Sequence, residues 1–248
     1  MAARSGFAYL EPRVGALAPQ ESDESFAPIG AALTQLPLTC EAFNVFLPAD
    51  LSVVGPGVDW PALQGYVCRA LTRAAGVGGR VVVFGSGASR RRPDDWDAER
   101  TREQLVAFCR LCADTAQGLG LTVVIEPLFT KATNTVNSVE EAVRLAREAG
   151  REEVAVLADL FHMAMEREPM QNLVAAAPLL RHVHVPVPDE LAQNPEGPGF
   201  DHREFFRTLK RMGYDGRISV EENGGRFRDF GEEAPRVHQY LAELWESV

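Results

Sequence analysis

No apolar run in this chain approaches the ~20 residues that cross a bilayer. The opening stretch "MAARSGFAYLEP" also lacks the apolar core and small-residue cleavage site of a secretory signal. Together these absences set the expectation of a cytoplasmic protein with no membrane partner. Cysteine is scarce: Cys40, Cys68, Cys109 and Cys112 suit a reducing compartment better than a disulfide scaffold. The Cys109-x-x-Cys112 pair lies in "EQLVAFCRLCADTAQGLG", where Leu105, Phe108, Leu111, Cys112, Thr115 and Leu119 trace one helical face. With no second pair to complete a zinc site, these thiols read as buried helix residues. Basic charge is in deficit as well. Lys and Arg number 25 against 35 Asp and Glu, giving a formal net charge of −10, which repels a phosphodiester backbone and an anionic membrane. A DNA-repair endonuclease needs a basic groove and several metal-binding histidines. The chain has five histidines and no basic excess, so nucleic acid is excluded as the expected partner.

What the chain has is alternation. Short aliphatic runs stand at "FAYLEP", "LTCEAFNVF", "RVVVFGSG", "LTVVIEP", "VAVLADL", "LRHVHVPV" and "GRISVEEN", with amphipathic segments between them. Most of the runs are apolar throughout, as parallel strands covered on both faces require. Helix signals separate them. Asp59 precedes "WPALQGYVCRALTRAAG", Ser138-x-x-Glu141 opens a helix closed by Gly150, and Asp201-x-x-Glu204 opens one closed by Gly213. No linker or low-complexity block divides residues 1–248, so one domain is expected. Strands alternating with helices give an α/β fold with a parallel sheet, either a barrel or a doubly wound sheet. The proline-bearing loop from Pro186 to Gly199 is expected to pass over the site.

Polar residues at strand ends favour the barrel. Glu126 ends "LTVVIEP", Asp159 ends "VAVLAD", His184 sits near the end of "LRHVHV", and Glu221 ends "GRISVE". Four consecutive runs thus each carry a metal-ligating residue at the carboxyl end, and a barrel gathers all strand ends around one rim. Carboxylates converging there repel one another unless a cation or proton neutralises them. Oxygen donors plus one imidazole suit Mn²⁺, Mg²⁺ or Co²⁺ better than a thiolate site does. Taken singly, each acid is an ordinary helix cap or loop hydrogen-bonder, His182 or His184 a satisfied core histidine, and His162 a surface residue at a helix start. Glu11 and Glu41 read as ordinary polar residues, with pocket lining as the alternative. Arg90-Arg91-Arg92 reads as a solvated edge, with one Arg reaching an anionic substrate as the alternative, and "VFGSGAS" as a rim loop without a nucleotide-binding signature.

The pieces "IEPL", "NTVNSVEEA", "LADLFHM", "HVHV", "GPGFDHREFF", "GYDGRISVE" and "VFGSGASRRRP" resemble the xylose-isomerase-like TIM-barrel superfamily, particularly its sugar isomerases and ketose 3-epimerases. The resemblance runs from about Phe7 to the C-terminus. It implies a TIM-type (β/α) barrel with one divalent cation bound by Glu126, Asp159, His184 and Glu221. It also makes Glu126 and Glu221 the acid and base and lets His162 contact substrate oxygens. Arg226, in the "ENGGR" turn after the last run, is a further expected substrate contact, where barrels often hold phosphate. Such a site moves a proton beside a sugar carbonyl through a metal-stabilised enediolate.

Three departures stand against that pattern. Ala132 and Glu190 occupy positions where ketose epimerases carry a substrate-gripping Glu and Arg, and only six residues precede Phe7. Seven clear βα units are therefore expected, with the first of the family's eight absent; the gap is covered by dimerisation or rearranged terminal segments, or part of the natural N-terminus is missing from this sequence. The expected function is isomerisation or epimerisation of a small sugar or sugar phosphate. The alternatives are a metal-dependent dehydratase of a polyhydroxylated carbonyl compound and a non-catalytic sugar-binding homologue.

Overall fold

The computed structural model describes residues 2–189, 191, 199–222 and 229–248. Six strands form one parallel sheet in chain order: β1 (Ala42–Phe43), β2 (Val81–Phe84), β3 (Thr122–Ile125), β4 (Val154–Asp159), β5 (Leu180–Val185) and β6 (Arg217–Val220). Helices α1 (Asp23–Thr34), α2 (Trp60–Gly76), α3 (Ala98–Ala116), α4 (Val139–Ala149), α5 (Leu160–Met165), α6 (Met170–Ala175), α7 (His202–Arg211) and α8 (Phe230–Glu246) complete the βα pattern. This is the TIM-type architecture expected from the alternation together with the polar residues at the strand ends. No described helix is long and apolar enough to cross a membrane.

The helix starts follow the cap chemistry. Asp59 accepts from Ala62 N, Ser138 from Glu141 N and Asp201 from Glu204 N, each satisfying an otherwise orphaned first-turn N–H. Gly150 ends α4 in the left-handed conformation (φ 63°), where a Cβ would be strained. Cys109 and Cys112 lie buried on α3, as the helical face predicts.

The strands fix which side chains point inward, because neighbours alternate between faces. Val82, Phe84, Val123, Ile125, Val156 and Ala158 pack outward into the large core shared with the helices. Val83, Val124, Ala155 and Leu157 form a separate cluster on the other face. One further step of two along these strands reaches Gly85, Glu126 and Asp159, directly above that inner cluster. Register levels the strand ends: Asp159 pairs with His184, and His184 with Ser219.

The first run departs from expectation. Of the seven runs, six form strands, whereas "FAYLEP" joins β1 only through the isolated bridges Leu10–Cys40 and Arg13–Asn44. Among the described residues no backbone hydrogen bond links Phe7–Arg13 to β6. Side chains span this seam instead. Arg217 grips Glu41 with two bonds of 2.8 and 2.9 Å, its guanidinium stands 5.2 Å from the Tyr9 ring centroid, and Tyr9 Oη lies 2.6 Å from Ser219 Oγ. The 3-10 turn Ala2–Ser5 packs on α8, where the Phe7 and His238 rings meet edge-on at 5.2 Å.

Candidate metal and substrate site

The four strand-end residues converge. Glu126, Asp159, His184 and Glu221 each offer a ligand atom, and all four atoms lie within 4.8 Å of one another. His184 Nδ1 is 3.1 Å from Glu126 Oε1 and 3.4 Å from Glu221 Oε2. Asp159 Oδ1 accepts from Phe161 N at 2.7 Å, capping α5, while its buried Oδ2 accepts no hydrogen bond. An unpartnered carboxylate oxygen inside a protein is costly unless something positive meets it. Oδ2 therefore fits a divalent cation, as does the donor set of three carboxylates and one imidazole.

The electrostatics record the same strain. Burial, together with repulsion from Glu221 and Glu126, pushes the Asp159 carboxyl up to about 6, partly offset by His162. Burial also opposes ionisation of Glu221, but His184 outweighs it and holds that carboxyl below its usual range. Desolvation works against a charged His184 too. The acids around it, Glu11 and Glu221 foremost, prevail and raise it well above an ordinary histidine.

Two residues that looked ordinary in the sequence are built into this site. Glu11, expected to play a plain polar role, contacts His184 Nε2 through Oε1 and His182 Nε2 through Oε2, both at 2.7 Å. Arg90, expected on a solvated edge, is fully buried. It donates to Glu126 O at 2.6 Å and Phe84 O at 3.3 Å, tying the ends of β2 and β3 together. Desolvation lowers its guanidinium to about 10. A run of three arginines resembles a solvated face, and only tertiary structure separates the first from its neighbours.

Three features escaped the sequence reading. Gly85 leaves room for Glu126, since a Cβ there would overlap Oε2. Asn44 Nδ2 donates to Glu221 Oε1 at 3.3 Å across the seam, and its buried Oδ1 has no partner. Phe129 stacks on His162 at 5.5 Å, and Phe161 and Phe200 extend an aromatic wall from there. His162 itself lies within this group, with Nε2 3.7 Å from Asp159 Oδ2 and Nδ1 accepting from Phe129 N. A cavity of about 340 Å³ opens beside Glu11, Arg13, Asn44, His184 and Glu221. Arg226, Glu190 and most of the Pro186–Gly199 loop lie outside the described residues.

A parallel βα barrel with this rim cluster has known kin. The chain belongs to the xylose isomerase-like TIM barrel family, whose model matches residues 1–244. Among curated relatives, a ketose 3-epimerase of Arthrobacter globiformis is 32% identical over 111 residues, 44% of this chain and 37% of that one. A 3-dehydro-D-guloside 4-epimerase of Escherichia coli is 26% identical over 174 residues, 65% of this chain and 66% of the relative. The match thus spans little more than a third of the ketose epimerase. Among solved structures, the apo 3-keto-D-glucoside 4-epimerase of E. coli superposes with a TM-score of 0.78 at 21% identity, covering 97% of this chain and 91% of that one. A Methylomonas D-allulose 3-epimerase in complex with D-allulose gives 0.80 at 20%, covering 98% and 88%. At those identities the superpositions establish the fold. The relatives in sequence are sugar epimerases and isomerases.

Proposed function

We propose that this protein is a divalent-metal-dependent isomerase or epimerase of a small sugar or sugar derivative. One observation carries the reading: the Asp159 carboxylate, whose buried Oδ2 accepts no hydrogen bond, gathers with Glu126, His184 and Glu221 within a single cation's reach. A bound divalent ion supplies a Lewis acid for neighbouring substrate oxygens. Glu126 and Glu221 act as base and acid, one taking a proton from a carbon beside the carbonyl and the other returning it. With Nδ1 accepting from Phe129 N, His162 donates through Nε2 to a substrate oxygen, held for the task by its stack on Phe129. The wall of Phe129 and Phe161 offers the apolar face against which a sugar ring's C–H groups pack. A small-molecule substrate, with neither nucleic acid nor membrane, agrees with the −10 charge.

The test is a panel of ketoses, aldoses, their phosphates and keto-glycosides incubated with Mn²⁺ in deuterated buffer. Uptake of one deuterium per turned-over molecule, with formation of a diastereomer or isomer, is the expected result. A new ultraviolet chromophore in place of such a product identifies a dehydratase. Metal binding without exchange across the panel identifies a sugar-binding homologue.

A further inference from the structure

Glu11 lies between two imidazoles, and its chemistry decides where their protons are. A carboxylate has no proton to give, so each nitrogen facing it at hydrogen-bond distance must carry one. Glu11 Oε1 meets His184 Nε2 at 2.7 Å, and Oε2 meets His182 Nε2 at 2.7 Å. The Ser219 hydroxyl also donates to Oε2, which leaves Tyr9 Oη, 2.6 Å away, to donate to Ser219 Oγ. The Glu11 side chain is 7% exposed, and both imidazoles are fully buried.

We infer that Glu11 is a positioning residue that keeps a proton on His184 Nε2, so that Nδ1, which faces Glu126 Oε1 at 3.1 Å and Glu221 Oε2 at 3.4 Å, is the nitrogen that gives up its proton and offers its lone pair to a cation. Ring nitrogens of a metal-bound histidine are distinguished by the hydrogen bond the other one makes, and such partners typically change metal affinity 10–100-fold. Tyr9 and Ser219 hold Glu11 in turn. The seam between the first run and β6 thereby does two jobs: its side chains join the two ends of the sheet and set the tautomer of a rim histidine. This rests on the reading of His184 as a ligand.

The experiment uses the full chain labelled with ¹⁵N-histidine, with Mg²⁺ as a diamagnetic ion for NMR and Mn²⁺ for affinity by paramagnetic resonance. In the wild type with Mg²⁺, His184 is expected to show a protonated Nε2 and an unprotonated, metal-shifted Nδ1. Glu11→Gln keeps the shape but turns an NH₂ toward one imidazole. It is expected to weaken Mn²⁺ binding about 10–100-fold and to move the His184 resonances. Ser219→Ala should weaken it less. A His184 protonated on Nδ1 in the Mg²⁺-loaded wild type overturns the inference even if no variant folds. So does Glu11→Gln with unchanged affinity and spectrum. Failure of the wild type to bind either ion, or undiminished binding in His184→Ala, overturns the ligand reading instead, and the two failures are thus told apart.

Discussion

Gly85 and Glu126 share one small volume: the carboxylate of Glu126 occupies the space a Cβ at position 85 would fill. Position 85 is two beyond Val83 on the inner face of β2, and Glu126 two beyond Val124 on β3. Gly85→Ala should therefore displace Oε2 and lower Mn²⁺ affinity at least about tenfold, the scale of a lost supporting contact at a metal site. Gly85 is not in the left-handed region, so thermal stability should change little. Parallel metal titrations and melts of the two proteins check this; equal affinities would contradict it.

Asp159→Asn should stabilise the metal-free protein. The wild-type carboxyl, raised to about 6 against ~3.9 unfolded, contributes stability below the unfolded value and loses it as pH rises through the folded one. At pH 7 the charge is thus a burden, on the order of 1–3 kcal/mol, that asparagine removes. The amide oxygen can still accept from Phe161 N. Denaturant unfolding of both proteins in chelator, at pH 7 and pH 4, should show the gain at the higher pH only.

Metal binding should release protons and weaken in acid. His184 lies well above an ordinary histidine and must free Nδ1, while Asp159 gains a proton as pH falls through about 6. Calorimetry in buffers of different ionisation enthalpy at pH 7 should report net proton release. Affinity should then fall further below pH 6. A flat profile between pH 5 and 8 would count against this donor set.

Arg90→Lys should cost stability out of proportion to its conservative chemistry. One ammonium cannot reproduce the fork that reaches both Phe84 O and Glu126 O. Phe84 O also accepts from Glu126 N, so Glu126 O is the carbonyl at risk, and left unpaired in the interior it costs about 1–3 kcal/mol. Urea unfolding measures this.

Arg217→Ala tests the seam. Its bidentate pair with Glu41 is half exposed at the arginine (51%), so the loss should be about 1 kcal/mol or less, despite the two short bonds. A loss of several kcal/mol would mean that this pair, rather than the Ala2–Ser5 contact with α8, holds the sheet's two ends together.

Much of this was legible in the sequence. The βα alternation, the cap residues and the four strand-end candidate ligands follow from local rules of period and hydrogen bonding, and Glu126, Asp159, His184 and Glu221 do meet. Glu11 was visible as one more acid ending a run, but nothing local indicated two histidines on β5 waiting for it across the seam. Arg90 and Gly85 depend on what stands opposite them on β3, a long-range fact that neither composition nor spacing carries. The first run reads like the other six, yet it lacks backbone pairing to β6 because pairing depends on neighbours rather than on the strand's own residues.

The most direct measurement is a Mn²⁺ titration of the purified chain followed by paramagnetic resonance, alongside Asp159→Asn and Glu221→Gln. One saturable ion per chain, with binding abolished or severely weakened in both variants, is the predicted result. No saturable binding, or binding undiminished by either substitution, would contradict a shared cation site at the rim.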